Sequence, residues 1–189
     1  LPLVQKTKKF LILHSVFSYP MWIVLPAYNE AKIIRDVIKE IQEAGYENVI
    51  LVDDGSSDDT FKVARGIPGI IALRHKINRG KGAATKTGIE AAKKLGARIV
   101  VTLDSDGQHN PHDIKALIKP LEEGRYDVAL GTRLKNPKGM PWYKILANHI
   151  GNAVTWYIYG LWVSDSQSGF RAYSRRAMEH INTCTDRYE

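Results

Sequence analysis

Short apolar runs alternate with helical repeats along this chain. Between the runs, apolar residues recur every three or four positions, which is the spacing of one face of a helix. The runs themselves are rich in Val, Ile and Leu and predict buried β-strands at WIVLP (22–26), NVILVD (48–53), IIALRH (70–75), RIVVTLD (98–104) and DVALGT (127–132). A repeated strand–helix–strand order predicts an α/β domain with a mostly parallel central sheet flanked by helices.

Spacing and capping residues predict three helices between these strands. The first follows Asn29 as its cap, the second covers residues 82–95, and the third begins at the Asn110–Pro111 pair. The residues expected to face the core are Ile33, Ile34, Val37, Ile38 and Ile41 in the first helix, and Ile114, Leu117, Ile118 and Leu121 in the third. Helices placed in this way connect parallel strands by crossovers.

Length and composition narrow the range of functions. A chain of 189 residues suits one domain, and we expect an N-terminal extension at 1–20 and the domain at 21–189. The net charge of +7 is spread along the chain, which suits phosphates or an acidic membrane surface and does not indicate a nucleic-acid partner. The single cysteine, Cys184, excludes an internal disulfide and a cysteine-based zinc site. No apolar run has the length of a membrane span.

Polar side chains collect where the predicted strands end. In open α/β sheets ligands bind outside the carboxyl ends of the strands. The segment DDGSSDDT (53–60), taken alone, is interpreted more simply as a loop with a helix cap. Acids at several strand ends nevertheless indicate a shared site. The residues expected along this rim are Tyr28, Glu30, Asp53, Asp54, Asp104, Asp106, Gln108 and Arg133.

Asp104 and Asp106 stand one residue apart at the end of a buried strand. In an extended segment their side chains would face the same way, about 7 Å apart. Two such carboxylates repel unless a cation or hydrogen bonds lie between them. Mg²⁺ binds through one or two carboxylates together with substrate phosphates, so this pair predicts a cation beside a diphosphate. An EF-hand is excluded because Gly107 is fourth and Lys115 twelfth in the loop, where glycine should be sixth and Glu twelfth.

The motifs are also compatible with two other kinds of protein. RGKGAAT (79–85) is an incomplete dinucleotide-binding fingerprint, and close strand–helix packing explains its glycines equally well. Arg79 and Lys81 within it are still placed to reach a diphosphate. A phosphoacceptor signalling domain also carries an acid pair after a strand, but the Gln-His pair after Asp106 is unusual there. A nucleotide-binding or signalling module without catalysis is the alternative from another class.

Six motifs occur in an order that resembles family 2 inverting glycosyltransferases with the GT-A fold. They are PAYNEA, VDDGSSDDT, NRGKGAATKTG, LDSDGQH, GTR and DSQSGFRAYSR, and they cover about residues 21–180. Within the family they most resemble the polyprenyl-phosphate branch, such as the dolichol-phosphate mannose synthases. The resemblance implies a Rossmann-like GT-A sheet and transfer of a hexose, with mannose or glucose expected, from a nucleoside-diphosphate sugar.

The resemblance also implies roles for individual residues. Contacts to a GDP- or UDP-linked donor would come from Pro26, Ala27, Tyr28, Glu30, Asp53, Asp54, Arg79, Lys81, Asp104, Ser105 and Asp106. Mg²⁺ or Mn²⁺ would be held by Asp104, Asp106 and Gln108. Arg133 and Arg171 would face the acceptor phosphate and the leaving diphosphate, and Asp165 would lie near the acceptor.

The expected acceptor is a polyprenyl or dolichyl phosphate at the cytoplasmic face of the cell membrane, or of the endoplasmic reticulum membrane in a eukaryote. A phosphomonoester has its second pKa near 6, so it needs no strongly tuned base. The alternative acceptor is a sugar or protein hydroxyl, with Asp165 as base. The segment 144–163 has an apolar side and two tryptophans, which fits a membrane-surface helix and a core helix equally well. We expect the native protein to continue beyond Glu189 and to be attached to a membrane there.

Overall fold

The computed structural model describes residues 20–131, 157 and 168–180. These residues contain six strands and five α-helices, and a 3₁₀ turn (Pro111–Asp113) precedes the fourth helix. The strands are β1 (Met21–Ala27), β2 (Val49–Asp53), β3 (Ile70–Arg74), β4 (Ile99–Thr102), β5 (Val128–Leu130) and β6 (Arg171–Ser174). The helices are α1 (Ile34–Glu43), α2 (Thr60–Arg65), α3 (Lys81–Lys94), α4 (Ile114–Glu122) and α5 (Arg175–His180).

All six strands form one sheet in the order β3-β2-β1-β4-β6-β5. The first four pair in parallel, with β1 between β2 and β4. The prediction of an α/β fold with a mostly parallel sheet is therefore confirmed. Strand β6 was not predicted, because its residues RAYS lack the apolar run of a buried strand. It lies antiparallel between β4 and β5, so these two strands are not neighbours.

Helices cover both faces of the sheet because alternate strand residues point to opposite sides. Ile23 and Leu25 pack with helices α1, α2 and α4, whereas Val24 packs with α3 and α5. The apolar residues predicted for α1 and α4 are all buried, except that Ile33 is only partly covered. The strands consequently run as continuous apolar segments, as expected for a sheet that is buried on both sides.

Helix boundaries agree with the prediction at α4 and disagree at α1. Asn110 caps as expected, since its side chain accepts a hydrogen bond from the His112 N–H at 3.0 Å. Asn29 does not cap α1, which begins at Ile34. Asn29 instead adopts a left-handed backbone conformation (φ 58°), and its Oδ1 accepts a hydrogen bond from the Ser57 N–H at 2.9 Å. The cap prediction failed because that side chain binds the loop after the neighbouring strand.

The segment 144–163 lies outside the described residues apart from Tyr157, so its interpretation as a surface or core helix stays a prediction. Among residues 20–131, 157 and 168–180, no helix combines the length and the apolar character needed to cross a bilayer.

Gly88 sets how closely α3 approaches β1, and this contact gives a stability prediction. A Cβ atom at position 88 would lie 2.3 Å from Val24 Cγ1, so a Gly88→Ala variant must push the helix away from the sheet. Overpacking of this kind costs about 1–3 kcal/mol, which outweighs the gain of about 1 kcal/mol in helix propensity. We expect a lower free energy of unfolding in urea.

The clash can be relieved separately. Val24→Ala removes the methyl groups that meet the new Cβ, so Gly88→Ala should cost less in a Val24→Ala background than in the wild type. A Gly88→Ala variant more stable than the wild type would show that helix propensity governs this position and that the packing argument is wrong.

Candidate active site

The loops after β1 and β2 are bound to each other by side-chain hydrogen bonds. The Asn29 N–H donates to Ser56 Oγ at 2.9 Å, and the Glu30 N–H donates to Thr60 Oγ1 at 2.8 Å. Asp59 stands at the N-cap of α2 and makes no capping bond there. The segment DDGSSDDT therefore joins two loops at the carboxyl edge of the sheet. It also acts as the expected loop with a helix cap, because Asp58 Oδ1 accepts a hydrogen bond from the Thr60 N–H at 2.9 Å where α2 begins.

Asp53 is fully buried at the end of β2 and is neutralised within the fold. Its Oδ1 accepts a hydrogen bond from the Ser56 N–H at 3.1 Å. Arg74 Nε lies 3.0 Å from Oδ2, outside the hydrogen-bonding direction, so this contact is an ion pair. The same guanidinium donates to Ser56 O at 2.9 Å and lies over the ring of Phe61. Asp53 thus binds the loop after β2 through the Ser56 N–H and binds the end of β3 through Arg74.

Asp54 is also buried, and its carboxylate accepts three hydrogen bonds. His75 Nδ1 lies 2.7 Å from Oδ1, the Arg79 N–H donates to the same oxygen at 3.0 Å, and the Gly80 N–H donates to Oδ2 at 2.7 Å. An ionised carboxylate has about four acceptor positions. One position therefore remains for a further partner, and the other three hold the loop that leads into α3.

Asp104 lies at the end of β4 in an electropositive setting. Lys81, the first residue of α3, places Nζ 2.5 Å from Asp104 Oδ1, and His109 Nε2 lies 3.6 Å from Oδ2. Burial by itself raises the pKa of the Asp104 carboxyl, but hydrogen bonds and charge from His109 and Lys81 outweigh it and hold that pKa well below its usual range. Asp104 is consequently ionised at neutral pH.

Gly169 forms the wall behind Asp104. A Cβ atom at position 169 would lie 1.8 Å from Asp104 Oδ1, so no other residue leaves room for this carboxylate. Thr102 Oγ1 donates a hydrogen bond to Gly169 O at 2.9 Å and keeps the two segments together. Sequence reasoning did not single out Gly169, although the matched motif DSQSGFRAYSR contains it. The signal available in the sequence is a glycine between Ser168 and Phe170, directly before the segment RAYS. The structure shows that both flanking residues are buried.

Asp106 occupies a turn, so the expectation of an extended Asp104–Asp106 pair is wrong. Strand β4 ends at Thr102, and Asp106 Oδ1 accepts a hydrogen bond from the Gln108 N–H at 3.0 Å within the turn. Glu30, from the loop after β1, lies nearby. Burial, then the charges of Asp106 and Asp58, raise the pKa of the Glu30 carboxyl. The carboxylates of two loops therefore act on each other electrostatically at the rim.

The described residues bring most of the predicted site together. Pro26, Ala27 and Ser105 are buried in its floor, and Tyr28 stands half exposed at its edge. Arg171, the first residue of β6, donates from Nε to Ser168 O at 2.8 Å. Arg133 and Asp165 lie outside the described residues.

The carboxylates of the rim provide part of the set of ligands that a divalent cation requires. In the described part of the chain, no three His, Cys, Asp or Glu side chains form a complete cation cage. Mg²⁺, however, needs only one or two carboxylates when phosphates and water complete its shell. Asp104 is ionised, and burial together with the charges of Asp106 and Asp58 raises the pKa of the Glu30 carboxyl. These residues therefore fit a cation that arrives with a diphosphate.

Relatives with assigned functions share most of the chain. A UDP-N-acetylglucosamine–dolichyl-phosphate N-acetylglucosaminyltransferase of Methanococcus voltae is 39% identical over 181 residues, which are 86% of this chain and 72% of the relative. A polyprenol monophosphomannose synthase of Mycolicibacterium smegmatis is 27% identical over 169 residues, covering 85% of this chain and 63% of the relative. Both names specify a polyprenyl-type lipid acceptor, and they specify different sugars.

Solved structures agree with the fold. Glucosyl-3-phosphoglycerate synthase from Mycobacterium tuberculosis, in complex with Mn²⁺, UDP-glucose and phosphoglyceric acid, superposes with a TM-score of 0.66 at 25% identity. The match covers 84% of this chain and 57% of that one, so the chain spans little more than half of the solved protein. The sequence profile of Glycosyl transferase family 2 matches residues 22–181. The resemblance seen in the six motifs is confirmed, and the chain belongs to glycosyl transferase family 2.

Proposed function

We propose that this chain transfers a sugar, with inversion, from a nucleoside-diphosphate sugar to a polyprenyl or dolichyl phosphate at the cytoplasmic face of a membrane. The observation that carries the proposal is the pairing of the ionised Asp104 with Lys81 at the carboxyl edge of a parallel sheet. This edge is where α/β sheets bind nucleotides. The two relatives described above, whose names specify polyprenyl-type acceptors, support the choice of acceptor.

The donor is proposed to lie across the rim from β2 to β4. The base and ribose would contact Pro26, Tyr28, Glu30 and the remaining acceptor position of Asp54. The diphosphate would lie between Arg79, Lys81 and the turn that follows β4. In this arrangement Lys81 exchanges its partner, moving from the Asp104 carboxylate to a phosphate oxygen. Ala27, Asp53 and Ser105 would shape the floor, since all three are buried.

Asp104, Asp106 and Gln108 are proposed to hold Mg²⁺ or Mn²⁺ beside that diphosphate. Bound there, the cation would supply electrostatic stabilisation of the departing diphosphate. The Gln108 N–H already holds the Asp106 carboxylate in its turn. The wall formed by Gly169 keeps Asp104 at the end of β4. The cation would also offset the charge of Asp106, which adds to the effect of burial in raising the pKa of Glu30.

The acceptor phosphate is proposed to be both nucleophile and anchor. An oxygen of the phosphate forms a bond to the anomeric carbon from the face opposite the diphosphate. The bond from that carbon to the diphosphate oxygen breaks, and its electron pair leaves with the nucleoside diphosphate. Arg133 and Arg171 would bind the two sets of phosphate oxygens, and Asp165 would lie near the acceptor. No proton has to be removed, because the phosphate is largely ionised at neutral pH.

A second candidate acceptor is a water-soluble molecule. The similar solved enzyme was crystallised with phosphoglyceric acid, so an acceptor other than a lipid occurs on this fold. An acceptor that reacts through a hydroxyl would need a base, for which Asp165 is the proposed residue. The names of the two relatives specify different sugars, so the donor assay must include donors with different bases and different sugars.

An assay of nucleoside diphosphate release tests the proposed function directly. Purified protein would be given UDP- and GDP-linked hexoses and N-acetylhexosamines with Mn²⁺, in the presence of polyprenyl phosphate, polyprenol or phosphoglyceric acid. We expect release with one donor class and polyprenyl phosphate only. Release with polyprenol at an equal rate would refute the phosphate nucleophile. Binding of donor without release under all conditions would identify a nucleotide-binding module.

The Asp106→Asn variant tests the cation. Loss of one carboxylate charge should lower kcat by about 10²–10³-fold, the scale found for removal of one electrostatic transition-state contact, while the melting temperature stays close to that of the wild type. Excess EDTA should abolish turnover reversibly. Asp113→Asn is a matched control, because Asp113 is an exposed acid in the 3₁₀ turn of the same segment. Full activity in EDTA would exclude a dissociable cation.

The raised pKa of Glu30 predicts a pH-dependent stability. A carboxyl whose pKa is higher in the folded than in the unfolded state binds its proton more tightly when folded, so stability falls as pH rises above its unfolded value of about 4.5. Glu30→Gln cannot ionise, so it avoids the loss of stability that accompanies ionisation of Glu30. We expect the variant to gain stability relative to the wild type between pH 4 and pH 7, measured by urea unfolding.

A control variant separates this effect from a general change of charge. Glu40→Gln removes the same charge from an exposed position on α1. It should not show the increasing difference between pH 4 and pH 7. Equal behaviour of the two variants would show that neither burial nor the charges of Asp106 and Asp58 penalise the ionised form of Glu30.

A further inference from the structure

The imidazole of His75 lies buried where β2, β3 and α3 meet. Its Nδ1 is 2.7 Å from Asp54 Oδ1, its Nε2 is 2.9 Å from Thr87 Oγ1, and only 9% of the side chain is exposed. The backbone N–H of His75 donates to Asp53 O at 2.9 Å, which extends the pairing of β3 with β2 by one residue. A single residue therefore connects two strand ends to the middle of a helix.

The hydrogen bonds of this group have a defined direction. An ionised carboxylate only accepts, so the proton on Nδ1 is donated to Asp54. In the neutral imidazole Nε2 is then an acceptor, and the Thr87 hydroxyl donates to it. Both ring nitrogens are satisfied, and the ring is held from both sides. His75 in turn holds one oxygen of Asp54 in a single orientation.

Asp54 in turn holds the loop before α3. Its carboxylate accepts the N–H groups of Arg79 and Gly80, and Gly80 adopts a backbone conformation (φ 95°) that only glycine accommodates readily. The next residue is Lys81, whose ammonium group lies on Asp104. The chain of contacts thus runs from Thr87 through His75 and Asp54 to Lys81, and it spans the rim from β2 to β4.

We propose that His75 and Thr87 are positioning residues for the donor diphosphate. They fix Asp54, Asp54 fixes the backbone at Arg79 and Gly80, and this backbone places Arg79 and Lys81 where the diphosphate binds. The inference rests on the proposed function, since it concerns the same donor site. It adds two residues that contact neither donor nor cation, and it makes Asp54 part of the support for the diphosphate as well as a contact for the nucleoside.

Four variants separate this role from one in general stability. Thr87→Val keeps the volume of the side chain and removes only the hydroxyl. His75→Asn retains a side-chain N–H near the Nδ1 position for Asp54. His75→Gln retains an amide oxygen near the Nε2 position, which can accept from the Thr87 hydroxyl. Thr85→Val is the matched control, because Thr85 lies on the same helix and its hydroxyl donates to the Lys81 carbonyl without touching His75.

Two measurements are made on each variant and on the wild type. Amide hydrogen exchange is followed at residues 79 and 80, and binding of UDP and of GDP is measured by calorimetry in Mn²⁺. We expect faster exchange at these two amides and nucleotide binding weaker by about fivefold in Thr87→Val, the effect of one lost neutral hydrogen bond. His75→Asn should match Thr87→Val, and His75→Gln should be worse because the bond to Asp54 is lost. Thr85→Val should stay within about twofold of the wild type in affinity.

The outcomes distinguish this inference from the proposed function. If exchange at residues 79 and 80 and nucleotide affinity are both unchanged in Thr87→Val and His75→Gln, the positioning role is wrong. Faster exchange without weaker binding also overturns it, because the loop would then be ordered for some other purpose. If the wild type binds neither UDP nor GDP with Mn²⁺, the proposed donor site fails. Exchange alone then decides whether His75 orders the loop.

Discussion

The arrangement of this domain depends on the neutralisation of carboxylates that lie at strand ends with little access to water. Asp53 and Asp54 are buried at the end of β2, and Asp104 is mostly covered at the end of β4. A buried charge is tolerated only when hydrogen bonds and opposite charges replace its lost hydration. Arg74 serves Asp53, whereas Asp54 is served by His75 and two backbone N–H groups. These partners come from the last residue of β3 and from the segment between β3 and α3, which is thereby held over the edge of the sheet.

Close backbone approaches make this arrangement possible. Gly169 admits the Asp104 carboxylate, and a Cβ atom at Gly55 would lie 2.6 Å from the carbonyl carbon of Ile77. The loop after β2 and the segment before α3 therefore touch backbone to backbone. Hydrogen bonds and an ion pair hold the rim around the proposed diphosphate site, which agrees with the need of group-transfer catalysis for charges that are placed before the reaction begins.

Much of the fold and the location of the site could be predicted from the sequence. Apolar runs identified the first four parallel strands, because a strand buried on both faces must be apolar throughout. Helical spacing identified α1, α3 and α4, and the Asn110–Pro111 pair identified the 3₁₀ turn that leads into α4. Acids that follow buried strands indicated one ligand-binding edge, since parallel strands bring their carboxyl ends together. The six ordered motifs identified the family. All of these signals are local in the chain, and local propensity is what a sequence records directly.

Tertiary structure alone decided which partner each polar group takes. Asn29 is a residue type that commonly caps helices, but its side chain binds the loop after β2. Asp106 lies in a turn, whereas the sequence predicted extended chain from Asp104 to Asp106. Strand β6 lies between β4 and β5, where it pairs with the backbone groups at the free edge of β4. Its sequence contains no apolar run from which the strand could be predicted. The meeting of Thr87, His75 and Asp54 joins residues 12 and 21 positions apart in the chain. Such contacts depend on how α3 packs across β1 and β2, and packing is a property of distant residues that spacing along the chain does not encode.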